Sequence, residues 1–245
     1  PPVSSVWLST CEARSRENFL EYESARHSDF HVELYRFMID LNMVFRAKEP
    51  QNFNLSIDGG GTVVYASMQA FRPIVNVTQV LAAGPAPMGT GIPHAIGLAT
   101  LNSNLTVVLV GDGSLMFNIQ EIQTAKSAGL DMLIFVLQNH GYTSIRSTQA
   151  QFLESRFLGS SADGGLEVVD LEQIARGFGI EFHRLNPSDT ISEMERLMSQ
   201  RAGVVLIEVP VSPSQEIYPR VAFQKDSESG IQRALPLDQM FPLGS

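Results

Sequence analysis

The chain has 245 residues, 44% of them hydrophobic, which suffices for the core of one large α/β domain or two small ones. A formal net charge of -9 argues against nucleic acid and against anionic membrane, since both call for clustered Lys and Arg. The one cysteine, Cys11, excludes an internal disulfide and fits a reducing, cytoplasmic compartment, and no apolar run approaches the roughly 18 residues of a membrane span.

Residues 1–26 are polar and irregular, with Trp7 as the only large anchor, and they read as a linker. The Pro1-Pro2 start, without initiator methionine or signal peptide, suggests a piece of a longer protein. From His31 to Phe45 the apolar residues Leu34, Phe37, Met38, Leu41 and Phe45 fall at helical spacing, so residues 1–50 are a linker and an incoming helix. A short strand, Asn54 to Ile57, ends at Asp58, and Ile74 to Val77 is expected to be a second. Pro93 suits the first turn of a helix running to Leu101, where its missing N–H is not needed. Leu105 to Val110 is a buried strand; Leu115, Ile119, Ile122 and Ala125 then line one face of a helix ended by Gly129.

Met132 to Leu137 is the next strand, and a helix is expected to start at Arg146 and Gln149. Further on the pattern gives a helix Leu171 to Phe178, a strand Glu181 to Leu185, a helix Ser188 to Met198 and a strand Val204 to Val209. Apolar runs alternating with amphipathic segments predict an α/β fold: a doubly wound, mostly parallel sheet with helices on both faces, over residues 51–211. A proline-containing tail, 212–245, is expected to pack on it.

Two of these strands end in chemistry. Gly111-Asp112-Gly113-Ser114 follows the run to Val110, and Asn139 follows the run to Leu137, so parallel strands deliver an acid and an amide to one sheet edge. Mg2+ takes one or two protein oxygens and fills its shell with phosphate and water. Asp112 offers a charged oxygen, Asn139 a neutral one, and Gly141 lets a backbone carbonyl approach without a clashing side chain. Gly113 and Ser114 open a helix whose first amides can receive diphosphate. A plain βα turn with an Asp cap is the competing reading.

Gly111-Asp112-Gly113-Ser114, Asn118-Ile119-Gln120-Glu121 and Gln138-Asn139-His140-Gly141-Tyr142 together resemble the diphosphate and Mg2+ motif of thiamine diphosphate (ThDP) dependent enzymes. That family usually has Asn-Asn where Gln138-Asn139 stands, and the second position is the metal ligand. The resemblance implies metal ligation by Asp112, Asn139 and Gly141, and cofactor contacts from Gly61, Thr62, Met88, Gly111, Gly113, Ser114, Leu115, Asn139, Gly141, Tyr142, Thr143 and Ser144. Gly61 and Thr62 belong to the loop Asp58-Gly59-Gly60-Gly61-Thr62, which also resembles the phosphate loop of sugar kinases and could be a plain glycine turn. Met88 would wedge under the cofactor and hold its two rings folded; as a bare methionine it reads as core filler. Gly89-Thr90-Gly91 is a poor dinucleotide fingerprint, because His94 stands at the third glycine. Arg146 and Gln149 could meet a polar acceptor or simply form a solvated first turn, and the histidines and Cys11 show no metal-ligand spacing.

Within that family the likeness is to acetolactate synthase large subunits, through Ser114 to Glu121, Tyr218-Pro219-Arg220-Val221 and Pro236 to Leu243. It implies attack of the ThDP carbanion on a 2-oxo acid such as pyruvate, loss of CO2, and transfer of the acyl-anion unit to a carbonyl acceptor. Thr148 stands where acetolactate synthases carry an acceptor-site tryptophan, so another 2-oxo acid or a keto sugar is equally compatible as acceptor. The activating glutamate lies on a pyrimidine-binding domain not found in this chain, and FAD would belong only to an absent middle domain. The expected partners are therefore that domain, from a missing N-terminal region or another subunit, within a homodimer or homotetramer. Alternatives are a non-catalytic ThDP-binding module, or a nucleotide-dependent kinase or dehydrogenase using the glycine loops, though no Gly-Lys-Ser/Thr phosphate loop is present.

Overall fold

Short runs of Val, Ile, Leu and Phe, cut by glycine, proline and asparagine, build a six-stranded parallel sheet in the computed structural model, which describes residues 5–13, 25–82, 84–200, 203–221, 223–225 and 232–236. Two compact units form, Pro1–Gln215 and Glu216–Ser245. In the first, the order is α1 (5–13), α2 (Leu34–Ala47), β1 (Phe53–Ile57), α3 (Gly61–Ala70), β2 (Val77–Leu81), α4 (Gly91–Leu101) and β3 (Leu105–Gly111). Next come α5 (Asp112–Leu115), α6 (Glu121–Ser127), β4 (Met132–Gln138), α7 (Thr143–Phe152), α8 (Leu171–Phe178), β5 (Glu181–Arg184), α9 (Thr190–Met198) and β6 (Val204–Pro210). The second unit holds an antiparallel ribbon, Phe223–Lys225 with Gln232–Ala234.

Strand order is β2-β1-β3-β4-β6-β5 with every pairing parallel. The sheet is doubly wound, as the sequence predicts. The chain leaves β1 for β2 on one side, then crosses back to β3 and continues away through β4, so successive right-handed crossovers put helices on opposite faces. On one face α4, α6 and α8 supply Ile92, Ala95, Ile122, Ala125, Leu171 and Ala175 against Val108, Val110, Ile134, Val136 and Leu206. Alternate residues of the same strands turn the other way: Phe135 of β4 meets Phe37 of α2 at 5.9 Å between ring centroids. Helix α2 also packs on α3 and α9, and its Phe45 stands edge-on to Phe53. Both faces are covered, which is why the central strands lack polar alternation.

Four expectations are corrected. Residues 5–13 are helical rather than irregular, and Trp7 is 62% exposed, so it is not a buried anchor among the described residues. The second strand is Val77–Leu81: Ile74 to Asn76 forms the turn before it, with the N–H of Val77 donating to the Ile74 carbonyl, because pairing with β1 and not apolar content defines an edge strand. The helix drawn through Leu115 to Ala125 is broken into α5 and α6. Its break carries Asn118, whose side-chain amide donates to the Gly89 carbonyl of another loop at 2.8 Å while its own carbonyl receives Glu121 N–H. The helix placed at Arg146 begins earlier, at Thr143.

Candidate functional site

β1 is flanked by β2 and β3, and the chain departs from β1 and β3 in opposite directions, which opens a crevice at their carboxyl ends. Ligands of open α/β sheets bind at such a switch point. Asp58 follows β1 and Asp112 follows β3; Gly111 is level with Leu137 in the pairing of β3 with β4, so Asn139 emerges beside Asp112. The acid and the amide read from the sequence thus share one edge.

Asp112 is 4% exposed. Its Oδ1 accepts the Gly113 N–H at 2.7 Å and its Oδ2 accepts the Gly141 N–H at 2.9 Å. Burial pushes its carboxyl above the ordinary carboxylate range, against those two N–H groups and the charges of His140 and Arg146. Asn139 is 3% exposed, and its side-chain Oδ1 has no hydrogen-bond partner. A buried orphan acceptor is costly, and a cation would satisfy it. Among the described residues no three His, Cys, Asp or Glu side chains gather, so this edge offers one charged oxygen and neutral ones, the set Mg2+ takes when phosphates complete its shell. Those residues fit a metal. Gly141 adopts φ of +118°, and a Cβ there would lie 2.7 Å from the Ser160 carbonyl oxygen.

Three helix starts converge beside the acid. α3 and α7 have no side-chain cap bond, so their first N–H groups remain without intrahelical acceptors, while in α5 the Gly113 N–H is already taken by Asp112 Oδ1. A Cβ on Gly61 would lie 2.8 Å from Ser144 Oγ, and one on Gly113 would lie 2.3 Å from the Tyr142 ring. The glycines therefore allow the starts of α3 and α7, and the α5 turn and Tyr142, to close up. Helix α5 is a single turn, so its dipole is small and any anion there would rely on turn amides and a metal. Thr62 and Thr143 are buried, Ser144 is exposed, and Tyr142 and Met88 are half-buried. Leu115 belongs to the apolar core and can offer a ligand only its backbone.

Arg146 and Gln149 meet neither a solvated turn nor an open acceptor. The Arg146 guanidinium donates to the carbonyls of Asn139, His140, Ser160 and Pro213 and to Thr143 Oγ1, which clamps the backbone of the loop after β4. Gln149 donates to the Leu158 carbonyl and accepts from Ser160 Oγ. Gln138 turns from the crevice, its Nε2 donating to the Val169 carbonyl at 3.2 Å. Two residues stand inside the quoted motifs with no role assigned from the sequence: Asp58, wholly buried, and Asn118. The signal for Asp58 was present, since a strand followed by Asp-Gly is the pattern of Gly111-Asp112-Gly113 itself.

Residues 59–209 match the family described as thiamine pyrophosphate enzyme, C-terminal TPP binding domain. The chain belongs to this family. Against individual relatives this ThDP-binding domain is 35% identical over 140 residues to the acetolactate synthase isozyme 1 large subunit of Escherichia coli, covering 56% of this chain and 24% of that protein. It is 35% identical over 141 residues to the acetolactate synthase large subunit of Cyanidium caldarium, with 57% and 24% covered, and 33% identical over 146 residues to a probable chloroplastic acetolactate synthase 2 of rice, with 57% and 22% covered. The match therefore spans about a quarter of the length of these curated relatives. The tail segments likened to them, Tyr218 to Val221 and 236–243, lie beyond the matched region, and 237–243 lies outside the described residues. No helix among the described residues is long and apolar enough to cross a membrane.

Proposed function

We propose that this chain is the ThDP- and Mg2+-gripping part of an acetolactate synthase-like carboligase that decarboxylates a 2-oxo acid, pyruvate first among them, and transfers the acyl-anion unit to a carbonyl acceptor. The observation that carries the reading is the orphaned Oδ1 of Asn139, buried beside Asp112. When bound, ThDP supplies the carbanion and the electron sink of the reaction. Asp112, Asn139 and the Gly141 carbonyl hold the metal, the backbone N–H groups of Gly61, Thr62 and Ser114 and the Thr62 hydroxyl face the diphosphate, with Gly113 closing the turn between them, and Met88 supports the rings. Tyr142, Thr143 and Ser144 follow the metal loop and border the crevice at the start of α7.

Activation of the cofactor falls to a second domain. The acids at the crevice, Asp58 and Asp112, both already accept backbone N–H groups, which leaves neither placed as the glutamate that must face the aminopyrimidine. Apolar side chains on elements bordering the crevice are uncovered, among them Tyr65 and Met68 of α3, Phe117, and Ile145 of α7. Such a surface calls for a covering partner, and a pyrimidine-binding domain, from the same longer chain or another subunit of a homodimer or homotetramer, is the one proposed here. FAD, where used, belongs to a middle domain outside this chain. Thr148 is exposed and turns its hydroxyl back to the Ser144 carbonyl, so it forms no bulky acceptor wall, and another 2-oxo acid or a keto sugar is equally compatible as acceptor. The single cysteine, exposed at Cys11, fits a reducing cytoplasmic setting.

Mixing the purified chain with ThDP, Mg2+ and pyruvate, with and without a pyrimidine-binding domain of an acetolactate synthase, tests this reading. CO2 release is expected only in the mixture; release by the chain alone, or absence of ThDP binding, overturns it.

A further inference from the structure

Asp58 is fully buried, and among the described residues its partners are three donors and no Lys, Arg or His. Its Oδ1 accepts the Gly60 N–H at 2.8 Å and the hydroxyl of Ser114; its Oδ2 accepts the Gly91 N–H at 2.8 Å. Stripping a carboxyl group of water is expensive unless donors inside the protein replace that water. The three donors come from three loops: Gly60 precedes α3, Gly91 begins α4, and Ser114 lies in the α5 turn. Because α3 and α4 lie on opposite faces of the sheet, one side chain ties both helical layers to the end of β1. The side chain takes all three because both of its oxygens accept, whereas an asparagine would turn an N–H toward one of the donors.

The link continues beyond Asp58. Ser114 Oγ, which donates to Asp58, also accepts the Gly89 N–H at 2.9 Å, and the Gly89 carbonyl is held by Asn118 at 2.8 Å. Gly89 has φ of +81°, and a Cβ there would lie 2.5 Å from Phe117 Cβ, so this peptide is pressed against the turn that follows Asp112. The backbone that follows Met88 is therefore tied to the Gly113-Ser114 turn through the chain Asp58, Ser114, Gly89.

We infer that Asp58 is a positioning residue that holds the three cofactor loops in one spacing, fixing the seat of the thiazolium ring relative to that of the diphosphate. This rests on the reading of the crevice as a ThDP site. Asp58 touches no reacting atom in this arrangement; it acts through Ser114, Gly60 and Gly91.

The test is calorimetric titration of the full chain with ThDP and, separately, with inorganic pyrophosphate, each with Mg2+, in wild type, Asp58→Asn, Ser114→Ala and the double variant. Losing a hydrogen bond to a charged group should weaken ThDP by about tenfold or more in each single variant. Pyrophosphate, which needs no ring seat, should lose much less, and the double variant should bind ThDP about as weakly as the worse single one, because both break one chain. Equal losses for the two ligands, additive losses, or unchanged ThDP affinity overturn the positioning role while leaving the ThDP reading intact. If Asp58→Asn does not fold, Ser114→Ala decides by the same ligand comparison. A wild-type chain that binds pyrophosphate but not ThDP, or neither, overturns the ThDP reading itself and this role with it.

Discussion

Asp112, at the end of β3, accepts the N–H of Gly141, beyond the end of β4, at 2.9 Å, and so ties two adjacent strand ends into one cation-ready corner. With ThDP at about 100 times its dissociation constant and Mg2+ present, the wild-type chain should gain about 2.7 kcal/mol of stability. Asp112→Asn and Asn139→Ala should lose most of that gain, and EDTA should abolish it in the wild type. A differential scanning fluorimetry series with and without chelator reads all of these, and an unchanged shift in both variants would place the metal elsewhere.

Gly113 lies under the Tyr142 ring with no room for a methyl group. Gly113→Ala should cost about 1–3 kcal/mol through overpacking, and the double variant with Tyr142→Ala should recover part of it. Urea denaturation of the three variants measures the coupling; additive losses would mean that the ring and the turn do not press on each other.

Arg146 satisfies four carbonyls and one hydroxyl at once. Arg146→Ala should destabilise the chain by about 2–3 kcal/mol, since several acceptors lose a charged donor. Arg146→Lys should not restore stability, because an ammonium lacks the planar fork that spans these carbonyls. Recovery with lysine in a chemical-denaturation measurement would show that charge alone matters.

Asp40 on α2 receives Nε2 of His27 at 3.0 Å, the Thr190 hydroxyl at 2.7 Å and the Arg36 guanidinium at 2.7 Å. Burial alone would raise its carboxyl, but the bonds from His27 and Thr190 and the Arg36 charge outweigh it and hold it below the ordinary value. A depressed carboxyl stabilises the fold fully above the unfolded pKa of about 3.9, and that contribution is lost as pH falls through the lower folded-state value. Asp40→Asn should therefore be least stable relative to wild type at neutral pH, with the gap closing below about pH 4. Stability measured across the acid range checks the sign; a gap that widened toward low pH would contradict it.

The parallel sheet was legible because buried strands are written as unbroken apolar runs, such as Leu105 to Val110 and Met132 to Leu137, and α8 emerges at the predicted Leu171 to Phe178 with its Asp170 cap and Gly179 stop. Asp112 and Asn139 could be named as neighbours because parallel strands deliver their ends to one edge. The break between α5 and α6 was not legible, since helical periodicity runs straight through it; the side chain of Asn118 reaches a loop distant in sequence. Nor could Arg146 be placed, because its acceptors are backbone carbonyls, which any sequence supplies.

The sequence by itself determined the α/β class, the strand ends that carry the acid and the amide, and the glycines where the backbone must close up, because periodicity and conformational freedom are local properties of the chain. The tertiary structure decided that Asn139 keeps an unsatisfied oxygen, that Asp58 gathers three loops and that Arg146 serves the backbone rather than a ligand. Those outcomes depend on which polar groups remain unpaired once two helical layers close on the sheet, and hydrogen-bond satisfaction is a property of the folded whole.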